Sequence, residues 1–492
     1  MVHDYELSEL DIRGIMLGCI ENIILEISFM RKREQFKRLI TFLEGFILWG
    51  IHVAMFAYIW FEIYTGQLKS PLFRGNWAVI GLYGAVLFLI TRLYGGFRIG
   101  YLRLMDVLYS QILSLICANI FVYAEIVLIS RKYLSAIPLV EMTMVQIVAI
   151  LLWTLICKKI YAIVYPPRQM LLIYDDRSPK EIMSKLGTRS DKYNVCDVMH
   201  LSEGLENILD SLQNYEAVLI YDISAYERNM ILKKCFDLSV RTYVTPKISD
   251  ILLTGSDKIH LFDTPLLLSR NVGLSGEQLI FKRALDLIIT IPVTILLMPM
   301  FLVIALLIKL YDGGPVLYSQ ERLTLDGKVF KIYKFRSMRM DSEKDGAQLA
   351  RKGDDRITPI GRVLRSLHFD EFPQLINIIK GDMSLVGPRP ERPEIAEEYQ
   401  QIIPEFNFRL KVKAGLTGYA QVYGKYNTTP YDKLKLDLTY IENYSLWLDI
   451  KLMMLTFKIM FQKENTEGID VTQVTAVKDP TALSSETRHQ KE

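Results

Sequence analysis

The 492-residue chain reads as a multidomain membrane protein, and three observations predict that class. Half of its residues are hydrophobic and the mean hydropathy is +0.19, high for a soluble chain of this length. Four predominantly apolar runs, each long enough to cross a bilayer, crowd the first third. Beyond them, short apolar strands alternate with amphipathic helices, and a fifth apolar segment then leads into a region rich in basic and acidic residues. The predicted architecture is a four-helix transmembrane bundle, a central Rossmann-like α/β domain and a C-terminal α/β domain with a membrane-dipping helix.

The predicted spans are 41–63, 77–95, 107–129 and 138–160. A hydrocarbon core of about 30 Å needs about 20 helical residues, and each run meets that length. Trp49, Trp60, Tyr64, Trp77, Tyr94, Tyr109 and Trp153 lie near their ends, partly as an interfacial belt. Basic residues set the orientation. Arg31, Lys32, Arg33, Lys37 and Arg38 precede the first span, Arg92, Arg98 and Arg103 separate the second from the third, and Lys158, Lys159 and Arg168 follow the fourth. The other two loops hold only Lys69, Arg74, Arg131 and Lys132, so eleven residues stand against four and both termini are expected on the cytoplasmic side. Glu125 falls inside the third span, where a charge is a functional candidate. The plainer reading is that it snorkels or pairs within the bundle.

Charge and composition narrow the class further. The net charge of +3 gives no argument for nucleic acid. The five cysteines, at 19, 117, 157, 196 and 235, form no CxxC and no zinc spacing, and the six histidines are scattered. Asp4, Glu6, Glu9 and Asp11 are wrong for a cleaved signal peptide, so residues 1–40 read as a cytoplasmic segment ahead of the bundle at 41–165.

Residues 166–276 form the central domain. Strands are expected at Met170–Tyr174, Tyr193–Val198, Ala217–Tyr221 and Thr242–Val244, with helices near 178–187, 203–213 and 225–238. This alternation predicts a parallel sheet. A nucleotide-binding version would carry a glycine-rich turn after the first strand. Here that turn is Tyr174-Asp175-Asp176-Arg177-Ser178, with no glycine and two acids, so a structural or regulatory role is expected.

Leu287–Ile308 is uncharged for 22 residues, with Lys282, Arg283 and Lys309 at its ends. Pro292 and Pro299 interrupt it, and an interior proline removes a backbone hydrogen bond. A broken helix that enters and leaves by the same face satisfies both the basic ends and the prolines; a kinked fifth span is the alternative.

The chemistry-bearing residues follow. Lys328, Lys331, Lys334, Arg336 and Arg339 crowd one strand-like run, which reads as a solvated edge, a lipid-headgroup contact or a phosphate site. Asp370-Glu371-Phe372-Pro373 is more specific: proline is tolerated in a helix's first turn, so a helix is expected to begin near Asp370 and stop at Gly381. An acid pair at a helix start is often only a cap. Successive helical residues point about 100° apart, so one carboxylate can face a reacting phosphorus while the other holds a metal. Arg389 sits between Pro388 and Pro390, whose fixed φ leaves a guanidinium fork with little backbone freedom. Asp382 and Glu391 flank that element as candidate partners.

Here the residues reach a resemblance. Phe281-Lys282-Arg283-Ala284-Leu285-Asp286, Tyr318-Ser319-Gln320-Glu321-Arg322, Tyr333-Lys334-Phe335-Arg336-Ser337-Met338, the acid-pair helix, Gly381-Asp382-Met383-Ser384-Leu385-Val386-Gly387-Pro388-Arg389-Pro390 and Gly415-Leu416-Thr417-Gly418-Tyr419-Ala420-Gln421-Val422 occur in order. From about 277 to 463 the chain resembles the catalytic domain of the bacterial sugar transferases, the monotopic polyprenol-phosphate phosphoglycosyl transferases. With the spans and the α/β domain it is similar to the large members. Two positions depart: Met298-Pro299 stands where Ser-Pro is frequent, and Thr324 where many members have glycine.

The resemblance implies a monotopic catalytic domain with a re-entrant helix, a UDP-sugar donor, an undecaprenyl (polyprenyl) phosphate acceptor in the lipid bilayer, Mg²⁺, and by analogy a homodimer. It implies a site on the cytoplasmic face of the bacterial inner membrane and a first step in exopolysaccharide, capsule or O-antigen assembly. In that reading Asp370 is the nucleophile, Glu371 holds Mg²⁺ with Asp370 beside it, and Arg389, Lys334 and Arg336 hold phosphate oxygens. A sensor or scaffold with a decayed site is the alternative from another class. Aromatic residues of 425–461, Tyr426, Tyr431, Tyr440, Tyr444 and Trp447, read either as a headgroup-layer contact or as core. Residues 464–492 read as a polar tail. The sugar is not legible, because its selection rests on pocket shape.

Overall fold

The computed structural model describes residues 37, 39–68, 74–269, 273–339, 356–425 and 428–460. Most of the N-terminal segment, Tyr426 and the polar tail lie outside them. The chain divides into two compact units, 1–166 and 167–492.

In the first unit each apolar run forms a helix: α1 (Leu39–Gln67), α2 (Gly75–Tyr94), α3 (Leu104–Ser130) and α4 (Ile137–Val164). By length and composition each can cross a membrane, as can one helix of the second unit. Apolar side chains point outward, with Leu128 77% and Ile163 80% exposed, and polar ones bond inside. Tyr83 donates to Asn119 at 3.0 Å, and Asn119 donates to Gln146 at 3.1 Å. Where lipid tails are as apolar as leucine, such polar contacts and close packing hold helices together. Glu125 of α3 keeps one buried carboxylate oxygen with no hydrogen-bond partner among the described residues.

The second unit begins with a parallel sheet. β1 (Arg168–Tyr174), β2 (Tyr193–His200), β3 (Ala217–Tyr221) and β4 (Arg241–Val244) lie in the order β2-β1-β3-β4. Between them run α5 (Lys180–Gly187), α6 (Leu205–Ser211) and α7 (Ala225–Asp237). Leu171, Leu172, Val218 and Ile220 are essentially unexposed, because a sheet covered on both faces needs continuous apolar strands. The elements fall within two residues of their expected bounds. After α8 (Ile248–Thr254) comes an antiparallel hairpin of β5 (Asp257–Leu261) and β6 (Thr264–Leu268), which the alternation did not anticipate.

α9 (Gly276–Asp312) follows, opened by a reciprocal cap between Ser275 and Gln278 and closed at Gly313, whose φ of 69° suits glycine. Its 37 residues form one helix with Pro292 and Pro299 inside it, so the expected break is absent at the level of secondary structure. Any change of direction there is a kink within one helix, because the remaining turns hold the helical conformation across each missing bond. Leu296 and Leu302 stand 78% and 66% exposed.

A hairpin of β7 (Leu317–Leu323) and β8 (Val329–Phe335) leads to α10 (Pro359–Ser366), α11 (Gln374–Lys380) and β9 (Ser384–Val386). After α12 (Pro393–Ile402), β10 (Gly415–Thr417) pairs in parallel with β9. α13 (Tyr419–Tyr423), α14 (Pro430–Glu442) and α15 (Leu446–Ile459) complete the fold. Ile378, Met383, Leu434 and Leu452 form the centre of its core. Tyr440 and Tyr444 are buried and Trp447 is 49% exposed, so two of the aromatic residues of 425–461 serve as core.

α9 is fastened to this fold at both ends. Near its start, Lys282 donates to Asp449 at 2.7 Å and to Tyr440 at 3.0 Å, inside the core. Asp286 accepts from Ser384 Oγ and from the Leu385 amide, both at 3.0 Å. Toward its end, Ile304 and Ile308 pack with Phe335 and Leu364.

Candidate active site

The acid pair sits in a 3₁₀ turn, Phe369–Glu371, and not in the first turn of an α-helix as the proline implied. α11 starts three residues after Glu371, with Pro373 as its N-cap. The reason is His368, whose φ of 56° turns the chain sharply after α10 and leaves room for one tight turn before the helix. Gly381 does close α11, at φ 95°. Neither carboxylate therefore lies in the first turn of α11.

Three elements converge on this turn. β8 buries Phe330 and Ile332 on one face, and Lys334 continues that face by strand alternation. Lys334 donates to Glu371 Oε1 at 2.7 Å. Arg389 donates to the same oxygen at 2.9 Å. Arg389 is presented by crossed backbones: the Gly387 amide donates to Thr417 O at 2.8 Å and the Gly415 amide to Pro388 O at 2.9 Å. A Cβ on Gly387 would stand 2.3 Å from Lys413 O, so only glycine permits the approach. Arg409 completes the support, its guanidinium donating to the Arg389 carbonyl at 2.9 Å. α11 is held to α9, because Arg283 donates to the carbonyls of Ile378 and Ile379 at 2.6 and 2.8 Å.

The two carboxyls are tuned apart. Asp370 is buried, 9% exposed, and burial raises its pKa; the adjacent Glu371 charge raises it further, against Lys334, Arg365 and His368. Burial alone would raise Glu371 as well. Arg389 and Lys334 overcome that and hold its carboxyl well below the usual range. Asp370 carries the less stabilised negative charge of the pair, as a nucleophile requires; Glu371 is a fixed anion that orders two cations.

Lys334, Arg389, Asp370 and Glu371 are thus brought together as expected, but Arg336 is not. It lies just past β8, where strand alternation no longer governs direction, and pairs with Asp312 at the end of α9. Nor does Arg389 pair with Asp382; it reaches Glu371 instead. Among the described residues no group of three or more His, Cys, Asp or Glu is arranged to hold a metal. The donor set of Asp370 and Glu371 is hard oxygen, which fits Mg²⁺ in the manner where one or two carboxylates bind and phosphate oxygens and water complete the shell.

Sequence reasoning missed the residues that position these groups: Arg283, Asn377, Arg409 and Asp437. Asp437 of α14 is 1% exposed and pairs with Arg409 at 2.8 Å; burial pushes its pKa up to about 6 despite that partner. A polar residue set among Leu375, Ile376, Ile378 and Ile379 was the available signal at Asn377. Thr324, the departure from glycine, donates to Asp382 O at 2.8 Å and accepts from the Ala414 amide at 3.2 Å, so its hydroxyl ties two loops together.

Fold and site together define a membrane protein whose α/β portion carries a buried carboxylate pair clamped by two cations. The sequence profile described as "Bacterial sugar transferase" matches residues 277–463. The UDP-N-acetylgalactosamine-undecaprenyl-phosphate N-acetylgalactosaminephosphotransferase of Aeromonas hydrophila is 39% identical over 251 residues, 50% of this chain and 58% of that protein. The UDP-glucose:undecaprenyl-phosphate glucose-1-phosphate transferase of Klebsiella pneumoniae is 40% identical over 209 residues, 42% of this chain and 43% of that one. The protein of the same name from Caulobacter vibrioides is 40% identical over 189 residues, which cover 71% of its length. The chain belongs to the bacterial sugar transferase family. It spans about half the length of the first of these curated relatives.

Proposed function

We propose that this protein transfers a sugar-1-phosphate from a UDP-sugar to undecaprenyl (polyprenyl) phosphate and releases UMP, by way of a phosphosugar-aspartyl intermediate on Asp370. One observation carries the reading: Lys334 and Arg389, far apart in sequence, meet on a single oxygen of Glu371 next to the buried Asp370. The relatives named for such transfers to undecaprenyl phosphate support it.

Two phosphate anions repel each other, so direct attack of a lipid phosphate on a diphosphate is poor. A carboxylate nucleophile divides the reaction into two steps. In the first, an Asp370 oxygen bonds to the sugar-bearing phosphorus as the bond from that phosphorus to the UMP oxygen breaks, and UMP leaves with the electron pair. In the second, a lipid phosphate oxygen bonds to the same phosphorus and the Asp370 carboxylate departs, leaving sugar-diphospho-polyprenol. Arg389 and Lys334 hold phosphate oxygens in both steps, and Glu371 aims the two cations while the site is empty. Glu371 and Asp370 would hold Mg²⁺, which offsets diphosphate charge when bound.

The acceptor is greasy and the donor soluble, so the site belongs at a membrane surface. Phe301 of α9 lies 6.4 Å, ring to ring, from Phe372, the residue after Glu371, and 5.7 Å from Phe335. With both ends of α9 fastened to one α/β fold, we read the helix as re-entrant, dipping into the cytoplasmic leaflet and returning. The basic loops favour a cytoplasmic site on the bacterial inner membrane, and the product suits the first membrane step of exopolysaccharide or capsule assembly.

The test incubates membranes with a panel of UDP-sugars and Mg²⁺ and measures UMP release. Wild type releases UMP with at least one donor, and Asp370→Asn loses it; undiminished release by the variant removes Asp370 as nucleophile. Labelling of a single cysteine at exposed Glu397 in intact cells, in a background without the native cysteines, tests the topology. Protection from an impermeant reagent is expected, and labelling from outside would make α9 a crossing span.

A further inference from the structure

In a sheet of order β2-β1-β3-β4 the chain departs from β1 to both sides, so the switch point, where such sheets take their ligands, lies at the carboxyl ends of β1 and β3. Arg177 follows β1 and Asp222 follows β3, and they meet across that point at 3.8 Å. The same guanidinium lies 3.8 Å from Asp432 and 5.4 Å from the centre of the Tyr431 ring. Lys185 of α5 stands 3.9 Å from the other Asp432 oxygen. Tyr431 and Asp432 belong to the first turn of α14. A carboxylate and a ring of this same chain therefore sit where a ligand's anionic and planar groups would.

The central domain also holds α14 farther along. Ile251 of α8, 4% exposed, joins the buried cluster that contains Leu434 and Leu438 of α14. Gly255 closes α8, and a Cβ there would stand 2.6 Å from the carbonyl oxygen of Glu442, the last residue of α14. Between these holds α14 presents Asp437, which lies 2.8 Å from Arg409. Arg409 in turn donates to the Arg389 carbonyl at 2.9 Å.

We propose that the switch-point crevice of the central domain is the docking site of α14, and that Arg177 is a positioning residue for Arg389, acting through that helix. The positioning role rests on the transfer reaction proposed above, in which Arg389 holds donor phosphate. The side chains of Arg177 and Asp432 are 17% and 27% exposed, so their ion pair contributes little stability by itself. Its part is to fix the direction in which α14 starts, while the apolar contacts of α8 supply the affinity. Asp437 lies less than two turns beyond Asp432, so a helix that tilts at its first turn moves Asp437, and with it Arg409 and the Arg389 carbonyl.

The test uses full-length protein in lipid nanodiscs with Mg²⁺ and a donor UDP-sugar, and measures initial rates of UMP release together with amide hydrogen exchange. Arg177→Glu sets a like charge against Asp222 and Asp432. It should raise the donor KM about threefold or more while kcat stays within about twofold, the scale of coupling carried through packed elements. Exchange across α14 should quicken in the same variant. Adding Asp432→Lys restores opposite charges at the contact and should recover part of both effects. Arg189→Gln alters a charge of the same domain that pairs with Asp191, and leaves both constants and the exchange of α14 unchanged. If Arg177→Glu does not fold, Gly255→Ala, which presses α8 away from the end of α14, is judged by the same criteria. Unchanged donor KM in the folded variant, with or without a lower melting temperature, overturns the positioning role, and unchanged exchange across α14 overturns the docking site. A wild-type protein that releases no UMP with any donor overturns the transfer reading and the positioning role with it, and the exchange result then decides the docking site alone.

Discussion

Asn377 of α11 occupies the place of a β-strand neighbour to Tyr333. Its Oδ1 accepts from the Tyr333 amide at 3.1 Å and its Nδ2 donates to the Lys331 carbonyl at 2.8 Å, so one side chain closes the open edge of β8. Lys334 is the next residue, and its reach to Glu371 depends on that register. Asn377 is fully buried. Asn377→Ala leaves two backbone groups of β8 unsatisfied and should destabilise the fold by about 2–4 kcal/mol. Denaturant titration reads the loss, and faster amide exchange at Tyr333 localises it. Unchanged exchange at Tyr333 would show that the strand is held elsewhere.

The two adjacent carboxyls predict the acid side of the rate profile. Asp370 is raised and must be ionised to attack, so activity falls as pH drops through its pKa, above the ordinary carboxylate value. Glu371, held low by Arg389 and Lys334, stays ionised across that window. Glu371→Gln should lower the rate and also move the acid limb to lower pH, because it removes the negative neighbour that raises Asp370. A limb that stays in place in Glu371→Gln would assign it to another group.

Lys282→Met cuts the buried contact between the start of α9 and Asp449, whose side chains are only 6% and 2% exposed. Removing one partner of a buried pair typically costs about 3–5 kcal/mol, and the same is expected here. The double variant Lys282→Met with Asp449→Leu should recover most of that loss, since no charge is then left alone. A single variant as stable as wild type would mean that the start of α9 is fastened by Arg283 and Asp286 without Lys282.

Gly387→Ala places a methyl against Lys413 O and forces the β9–β10 crossing apart. Arg389 then shifts with its loop, so the donor KM should rise by about tenfold or more while the acid pair is untouched. Initial-rate kinetics checks this, and unchanged KM would separate the crossing from donor binding.

Much of this was legible because it is local. The apolar runs and the alternation of 168–244 follow from periodicity in a few neighbouring residues, whereas the basic run was legible as strand-like without the face that carries Lys334. The acid pair was legible as chemistry but not in its conformation, since the positive φ of His368 that gives the tight turn leaves no sequence signal in a non-glycine residue. Arg336 misled because it shares spacing with Lys334 but lies beyond the end of the strand. The supports at Arg283 and Arg409 were invisible, because each bonds a backbone group 20 or more residues away, brought near only by the finished fold, and the partners of Asn377 were hidden for the same reason. Prolines in α9 signalled a break where helical conformation continues, as neighbouring turns bridge the missing bonds.

The central claim is the covalent step at Asp370. Purified protein in nanodiscs, incubated with a donor UDP-sugar and Mg²⁺ but no lipid acceptor, should gain the mass of one sugar phosphate, and peptide mapping should place it on Asp370. Added polyprenyl phosphate should discharge it, and Asp370→Asn should never acquire it. Release of UMP by wild type with no adduct, or an adduct on another residue that persists in Asp370→Asn, would contradict the account.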